Sequence, residues 1–307
     1  MTQTVVLAGA SGFIGSRLVR RFEEDGARVR TIGRGSEADA RWGGDLGGVL
    51  EGADALINLA GRSVSCRYTK RTADDILRSR TETTHALGRA LAQCSSPPLW
   101  INASTGTIYR DARDRPQDED TGELGSGFSV AVARAWEHEL WDAPVQVRKV
   151  ALRMSIVLGA GGAMNPNINL ARMGFGGRQG DGGQMLSWIH IEDVYRAVQH
   201  IIADRDLRGP INLASPHAVT NEEFMCSVRR HLGGRIGSRK GVRLPAWSLE
   251  AGARIIRTEA ELVLKSRWVE PRRLTQSGFA FTHPELDDAL AQIAEETRRG
   301  LVPVQLG

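Results

Sequence analysis

Three glycines, Gly9, Gly12 and Gly15, follow a short apolar run in the stretch T-V-V-L-A-G-A-S-G-F-I-G from Thr4 to Gly15. The residues after them, Ser16 to Glu24, alternate apolar and charged positions as a helix does. A strand, a glycine turn and a helix start in that order form a site for a dinucleotide pyrophosphate. Gly9 permits the tight turn off the strand. Gly12 carries no side chain to hold off a phosphate. Gly15 lets the helix pack close to the strand. The helix end then offers N–H groups and partial positive charge to an anion.

The next strand separates the two common dinucleotides. A carboxylate at its end bonds the adenosine ribose hydroxyls of NAD. Here R-V-R-T-I ends in Gly33 followed by Arg34. A guanidinium there suits the 2′-phosphate of NADP(H), which it can grip with two charge-assisted bonds. NADP(H) is therefore the expected cofactor.

The elements that must position these groups alternate. Strand patterns occupy Val5–Ala8, Arg28–Ile32, Ala55–Leu59, Leu99–Ala103 and Val147–Leu152. Helical patterns occupy Ile14–Glu24, Thr72–Gln93 and Ser129–Leu140. Strands spaced by helices of this length need crossovers. The expected fold is α/β, a Rossmann-type doubly wound parallel sheet with a smaller, mainly helical C-terminal part on the substrate side. Residues 159–183 interrupt the rhythm with nine glycines and read as a surface excursion or a substrate-side loop. S-W-I-H-I-E-D-V (Ser187–Val194) then leads into a helix through Ile202, followed by a strand at Ile211–Leu213 and a helix at Asn221–His231. Helical patterns return at Trp247–Lys265 and Pro284–Ile293. We expect residues 1–158 to bind NADP, with 185–214 returning to that unit. Residues 159–184 and 215–307 should form the substrate-side part.

Composition narrows the class. The chain has 307 residues, 41% of them hydrophobic, enough for a sizeable core. Its formal charge of +4 is small and spread out, which argues against nucleic acid and is compatible with an anionic small-molecule substrate. Cys66, Cys94 and Cys226 are far apart and form neither a metal-spaced pair nor a disulfide framework. With no signal-peptide pattern and no apolar run long enough for a bilayer, a cytoplasmic protein is expected.

G-A-S-G-F-I-G, N-L-A-G (Asn58–Gly61), A-S-T-G-T-I-Y (Ala103–Tyr109), A-L-R-M-S-I-V-L-G (Ala151–Gly159) and S-W-I-H-I-E-D-V resemble the extended short-chain dehydrogenase/reductases. R-Y-T (Arg67–Thr69), L-R-S-R-T-E-T-T (Leu77–Thr84), A-W-E (Ala135–Glu137), G-F-G-G-R-Q-G (Gly174–Gly180) and a C-terminal L-P-A-W…V-E-P-R-R-L…G-F-A-F-T-H-P-E-L are similar to an atypical branch, the epimerase family proteins. The resemblance implies cofactor contacts at Gly9, Ser11, Gly12, Phe13, Ile14, Gly15, Gly33, Arg34, Leu59, Ala60, Gly61, Asp75, Arg80 and Val157. It defines the cofactor better than the reaction.

Members of the wider group use a Ser/Thr hydroxyl, a Tyr-x-x-x-Lys pair and a supporting Asn. The lysine charge lowers the tyrosine pKa so that the phenol exchanges a proton. This chain has three tyrosines, Tyr68, Tyr109 and Tyr195, and none has a lysine four residues on. Counting back from Trp136–Glu137 puts Ser129 at the tyrosine position and Ala133 at the lysine position. The Asn position falls on Arg80. Thr105 retains the hydroxyl, with Ser104 beside it. Tyr109, in the strand-end loop, is either a substitute acid or a packed structural group. Thr105, Tyr109 and Ser104 are thus the candidate catalytic residues, and no metal site is expected. His190 reads mainly as a turn residue before a helix, and Glu137 as a structural residue on its helix face. Arg62, Arg67, Lys70 and Arg71 form either a solvated loop or a cap over an anionic substrate. Two functions compete: an NADP(H)-dependent oxidoreductase or epimerase with an unusual proton donor, and an NADP(H)-binding sensor or regulator without turnover. A nucleotide-sugar epimerase ranks third.

Overall fold

A computed structural model describes residues 2–66, 68–234, 241–242 and 264–303. The chain opens with β1 (Thr4–Ala8), α1 (Phe13–Glu24), β2 (Arg28–Gly33), β3 (Ala40–Arg41), α2 (Gly47–Leu50) and β4 (Ala55–Asn58). It continues through α3 (Lys70–Leu91), β5 (Leu99–Thr105), α4 (Phe128–Trp141), β6 (Lys149–Met154) and β7 (Ile156–Leu158). Then come α5 (Asn165–Arg172), β8 (Met185–Leu186), β9 (Trp188–His190), α6 (Ile191–Ala203), β10 (Gly209–Leu213), β11 (Val219–Thr220) and α7 (Asn221–Leu232). The last described helices are α8 (Arg272–Gln276) and α9 (Leu286–Glu296).

Seven strands form one parallel sheet in the order β10-β6-β5-β4-β1-β2-β3. The central strands are apolar on both sides because helices cover both faces. On one face Leu18 and Phe22 of α1 join Val194, Tyr195, Val198 and Ile201 of α6 in a core over β1, β4, β5 and β6. On the other, Leu50, Leu87, Leu91 and Leu140 close over Trp100. The direction of winding reverses between β1 and β4, so the carboxyl ends of those strands diverge and leave a crevice. A third core holds Ile168 of α5, Phe224 and Val228 of α7, and Leu290 and Ile293 of α9.

The expected elements that lie within the described residues form, with ends shifted by at most three residues. The Gly-rich excursion differs more, because its middle is helical at α5. Pro at the start of that helix and buried Ile168 and Ala171 explain this: an apolar face finds partners on α7. The helical pattern at Trp247–Lys265 falls almost wholly outside the described residues, as does the L-P-A-W segment. Among the described residues no helix is long and apolar enough to cross a membrane.

His190 is the N-cap of α6. Its Nδ1 accepts from the Glu192 N–H at 3.3 Å, and its ring lies 4.2 Å from that of His283. Burial, then the neighbouring His283 and Arg17, push it down from 6.5 to about 3. The folded state therefore keeps this imidazole neutral while the unfolded chain protonates it. Between pH 6.5 and about 3 the unfolded state binds more protons, so stability falls as pH falls, by up to about 1.4 kcal/mol per pH unit for one group. We expect His190→Asn, which keeps a capping acceptor, to show a shallower loss on acidification. Urea midpoints across that window measure it, and parallel profiles for the two proteins refute it.

Candidate functional site

The glycine turn sits where β1 and β4 diverge. Gly9 has φ of +85°, and a Cβ there would lie 2.8 Å from the Leu59 carbonyl carbon. A Cβ on Gly15 would lie 2.2 Å from the Gly9 oxygen, so the first turn of α1 can press onto the loop only as glycine. Gly12 is different. A Cβ there meets only the Gly9 oxygen, at 3.4 Å, and otherwise faces open space. It is also the N-cap of α1 and provides no capping side chain.

That space is a cleft of about 1310 Å³. Among the residues predicted to touch cofactor, Gly9, Ser11, Gly12, Gly33 and Arg34 line one side of it. Leu59, Ala60, Gly61 and Asp75 line the other. The remaining five do not line it. Phe13 packs under the excursion, where Cβ atoms on Gly159 and Gly162 would lie 2.9 and 2.7 Å from its ring. Ile14 packs against the core, Gly15 forms the close contact described above, and Val157 is buried in β7. Arg80 stands behind Gly61, whose Cβ would come within 3.2 Å of the guanidinium carbon.

Arg80 Nη1 donates to the carbonyls of Arg62 and Ile76, both at 3.0 Å, and its guanidinium lies over the Trp136 ring. Burial lowers it to about 10. Arg62 reaches across to Asp75 at 2.8 Å on the cleft wall. Arg67, from the same basic group, lies outside the described residues. Trp42, also in the cleft, carried no motif signal, and Ser79 and Thr83, which line it too, fall within L-R-S-R-T-E-T-T without having been singled out.

The wall at Leu59–Gly61 is held from behind by polar groups. Asn58 Oδ1 accepts from the Ala60 N–H at 3.1 Å, while its Nδ2 donates to Asn102 at 2.7 Å and Thr84 at 3.3 Å. Trp136 Nε1 donates to Thr84 at 3.0 Å. All of these are buried. Asparagines inside the apolar strands A-L-I-N and L-W-I-N were the sequence signal for this ladder.

The candidate catalytic residues lie at the carboxyl end of β5 and just beyond it, and two of their hydroxyls are hydrogen-bonded into a buried network. Ser104 donates to Glu137 at 2.6 Å. Glu137 also takes a two-pronged pair from Arg153, at 2.8 Å through both Nε and Nη2. Arg153 Nη1 then donates to the Tyr109 hydroxyl at 2.9 Å, which itself donates to Asn212 at 2.9 Å. Burial alone would lower Arg153, but bonding to Glu137 holds it above the ordinary arginine range. Burial raises Tyr109 despite the nearby Arg153 charge. Tyr109 is 2% exposed. The phenol is packed and hydrogen-bonded on both sides, accepting from Arg153 and donating to Asn212. Thr105 is half-buried, and its hydroxyl accepts from the Thr107 N–H at 3.2 Å. Ser129 is half-buried one residue into α4. Ala133 is wholly buried in an apolar cluster with Ile108, Tyr109, Ala214 and Val269.

A family model described as the NAD dependent epimerase/dehydratase family matches residues 5–214, and a domain of unknown function, DUF1731, matches residues 244–293. An epimerase family protein of Mycobacterium bovis is 33% identical, covering 93% of this chain and 96% of its own. The crystal structure of human epimerase family protein SDR39U1 with NADPH superposes with a TM-score of 0.86 at 30% identity, covering 95% and 99% of the two chains. A nucleoside-diphosphate sugar epimerase from Corynebacterium glutamicum superposes with a TM-score of 0.77 at 26% identity, over 97% of this chain and 59% of that one.

The buried network makes a specific demand. Glu137→Ala leaves Arg153 charged, buried and unpaired, and should cost about 3–5 kcal/mol. Tyr109→Phe strands only an acceptor and one donor and should cost about 1–3 kcal/mol. Urea denaturation measures both. Equal, small losses would mean that the pair is not the organising contact.

Proposed function

The chain belongs to the NAD dependent epimerase/dehydratase family, and on that premise we propose that it is an NADP(H)-dependent extended short-chain dehydrogenase/reductase. In this reading it acts as an oxidoreductase or epimerase-like enzyme on a small, anionic molecule. The observation that carries the proposal is the cleft at the sheet's reversal point, with glycine at its floor and Arg34 on its rim. The human relative, 30% identical, was solved with NADPH. The cleft fits such a group, because its floor is open backbone at Gly12 and its rim carries an exposed guanidinium.

Bound NADP(H) would supply hydride exchange. Gly9, Ser11 and Gly12 would meet the pyrophosphate, and Arg34 the 2′-phosphate. Asp75, Leu59, Ala60 and Gly61 would form the opposite wall, with Arg80 bracing it from behind. Thr105 would orient the reacting group and hold a proton at Oγ1. Residues 1–158 with 185–214 would bind cofactor, and 159–184 with 215–307 would cover the substrate. We place the protein in the cytoplasm on its cysteine usage, without nucleic-acid or membrane partners.

A second reading has its own support. Ala133 and its apolar neighbours remove the charge that activates a phenol, and Ser129 cannot replace that phenol as an acid. A non-catalytic NADP(H) sensor accounts for both facts. Hydride transfer by the NADPH-bound protein across a panel of carbonyl, alcohol and sugar-nucleotide compounds separates the two; complete inactivity favours the sensor.

Cofactor choice is directly testable. NADPH at about 100 times its dissociation constant should stabilise the fold by about 2.7 kcal/mol. NADH at the same concentration should stabilise it less. Arg34→Ala should erase the difference, and Gly12→Val should remove binding from a folded protein. Glu37, on the same rim, carries charge of the wrong sign for a 2′-phosphate, so Glu37→Gln should widen the preference. Equal thermal shifts for the two cofactors with the wild-type protein would overturn the NADP(H) assignment.

A further inference from the structure

Arg20, Arg34, Arg62 and Arg78 all line the dinucleotide cleft. Arg20 and Arg78 lie along their own helices, each bridged to a glutamate four residues on, at 2.7 and 2.6 Å. Their side chains are 68% and 69% exposed, as on an ordinary solvated helix face. Arg62 is held otherwise. Its side chain is 38% exposed, and its ion pair runs from the loop after β4 to Asp75 of α3. The Arg62 backbone is fixed to the same helix on both sides. Its N–H donates to Ser79 Oγ at 2.9 Å, and its carbonyl accepts from Arg80 Nη1 at 3.0 Å. Asp75 and Ser79 are four residues apart and so share one face of α3. Of the basic residues that follow N-L-A-G, Arg62 is therefore a positioned group and not a solvated loop side chain.

The sheet order places Arg62 relative to the glycine turn. β1 lies between β4 and β2, so the segments that follow those two strands flank the β1 turn on opposite sides. Arg34 directly follows β2, and Arg62 comes four residues after β4 ends. The β4 flank is close to the turn: a Cβ on Gly9 would lie 2.8 Å from the Leu59 carbonyl carbon and 2.9 Å from the Ala60 nitrogen. A pyrophosphate over Gly9–Gly12 thus has Arg34 on one flank and Arg62 on the other. The hydrogen bond to Asp75 comes from Nη1 of Arg62. Nε of the same guanidinium is enclosed and has no hydrogen-bond partner among the described residues. An enclosed N–H without an acceptor is unfavourable, and an anionic oxygen is the acceptor that answers it most strongly. Arginine can meet Asp75 and a phosphate together, because its five donors lie in one rigid plane.

We propose that Arg62 grips the pyrophosphate of the bound dinucleotide from the β4 side, with Asp75 as the positioning residue that holds its guanidinium to α3. This role rests on the NADP(H) reading above, and it sets Arg62 on the cofactor instead of over the substrate. The test titrates NADPH, NADH and adenosine 2′-monophosphate into the full chain by calorimetry at constant ionic strength. The first two probes carry a pyrophosphate. The third carries the 2′-phosphate and no 5′-phosphate. Arg62→Gln should weaken NADPH and NADH alike, by about tenfold, the loss of one charge-assisted contact. It should leave adenosine 2′-monophosphate unchanged. Arg62→Lys, which keeps the charge but loses the fork, should lose less. Arg34→Ala should show the converse pattern: weaker NADPH and adenosine 2′-monophosphate, unchanged NADH. The ligand-free Arg62 variants should melt close to wild type, because a part-exposed ion pair adds little stability. Unchanged NADPH and NADH affinity in Arg62→Gln overturns the proposal. So does a loss confined to NADPH, or an equal loss for adenosine 2′-monophosphate, which would mean that the cleft wall has merely shifted. The two readings fail differently: a wild-type protein that binds no NADPH refutes the cofactor reading and this role with it, whereas a wild type that binds and an Arg62→Gln that binds equally well refute this role alone.

Discussion

The pairing of Glu137 with Arg153 is the contact on which the carboxyl edge of the sheet depends. Both charges are buried, so each must be satisfied by the other and by neighbours. The result joins α4 to β6 and recruits Ser104 from β5, Tyr109 from the following loop and Asn212 from β10. Asn212 in turn donates to the Gln117 and Glu270 carbonyls, which ties the 110–120 loop to the segment before α8. Three adjacent strands, one helix and two loops are thereby held in one register. Thr105 stands at the edge of this rigid frame, next to Ser104.

A different constraint governs the other half of the sheet. There close backbone approach, with no charge involved, sets the geometry: Gly15 against Gly9, and Gly9 against Leu59. The Asn58–Asn102–Thr84–Trp136 ladder then stops the β4 end from relaxing into the gap. The cleft is thus open because its floor lacks side chains and stable because its wall is braced by buried hydrogen bonds. Each of those bonds matters more in the interior than it would in water, since a stranded partner there cannot be hydrated.

The two halves meet where the wider group keeps its proton chemistry, and here this chain departs. Ala133 packs with Ile108, Tyr109, Ala214 and Val269 as a buried apolar cluster. Glu137 and Arg153, near that cluster, neutralise one another and leave no net charge to tune a phenol.

Much of this was legible in the residues. The alternation of strand and helix patterns, the glycine turn and the Arg34 position follow from local rules, because periodicity and backbone freedom act over a few residues. Arg153 in A-L-R-M and Asn58 in A-L-I-N are polar residues inside apolar strands, a pattern that the sequence reading did not use and that names no partners. By itself the sequence determined the elements, the doubly wound class and the composition of the cleft floor. Only the tertiary structure decided that Tyr109 is spent on Arg153 and Asn212, and that α5 forms within the Gly-rich excursion. Those outcomes depend on residues 44 or more positions apart meeting in the folded chain, and no local pattern encodes a meeting of that kind.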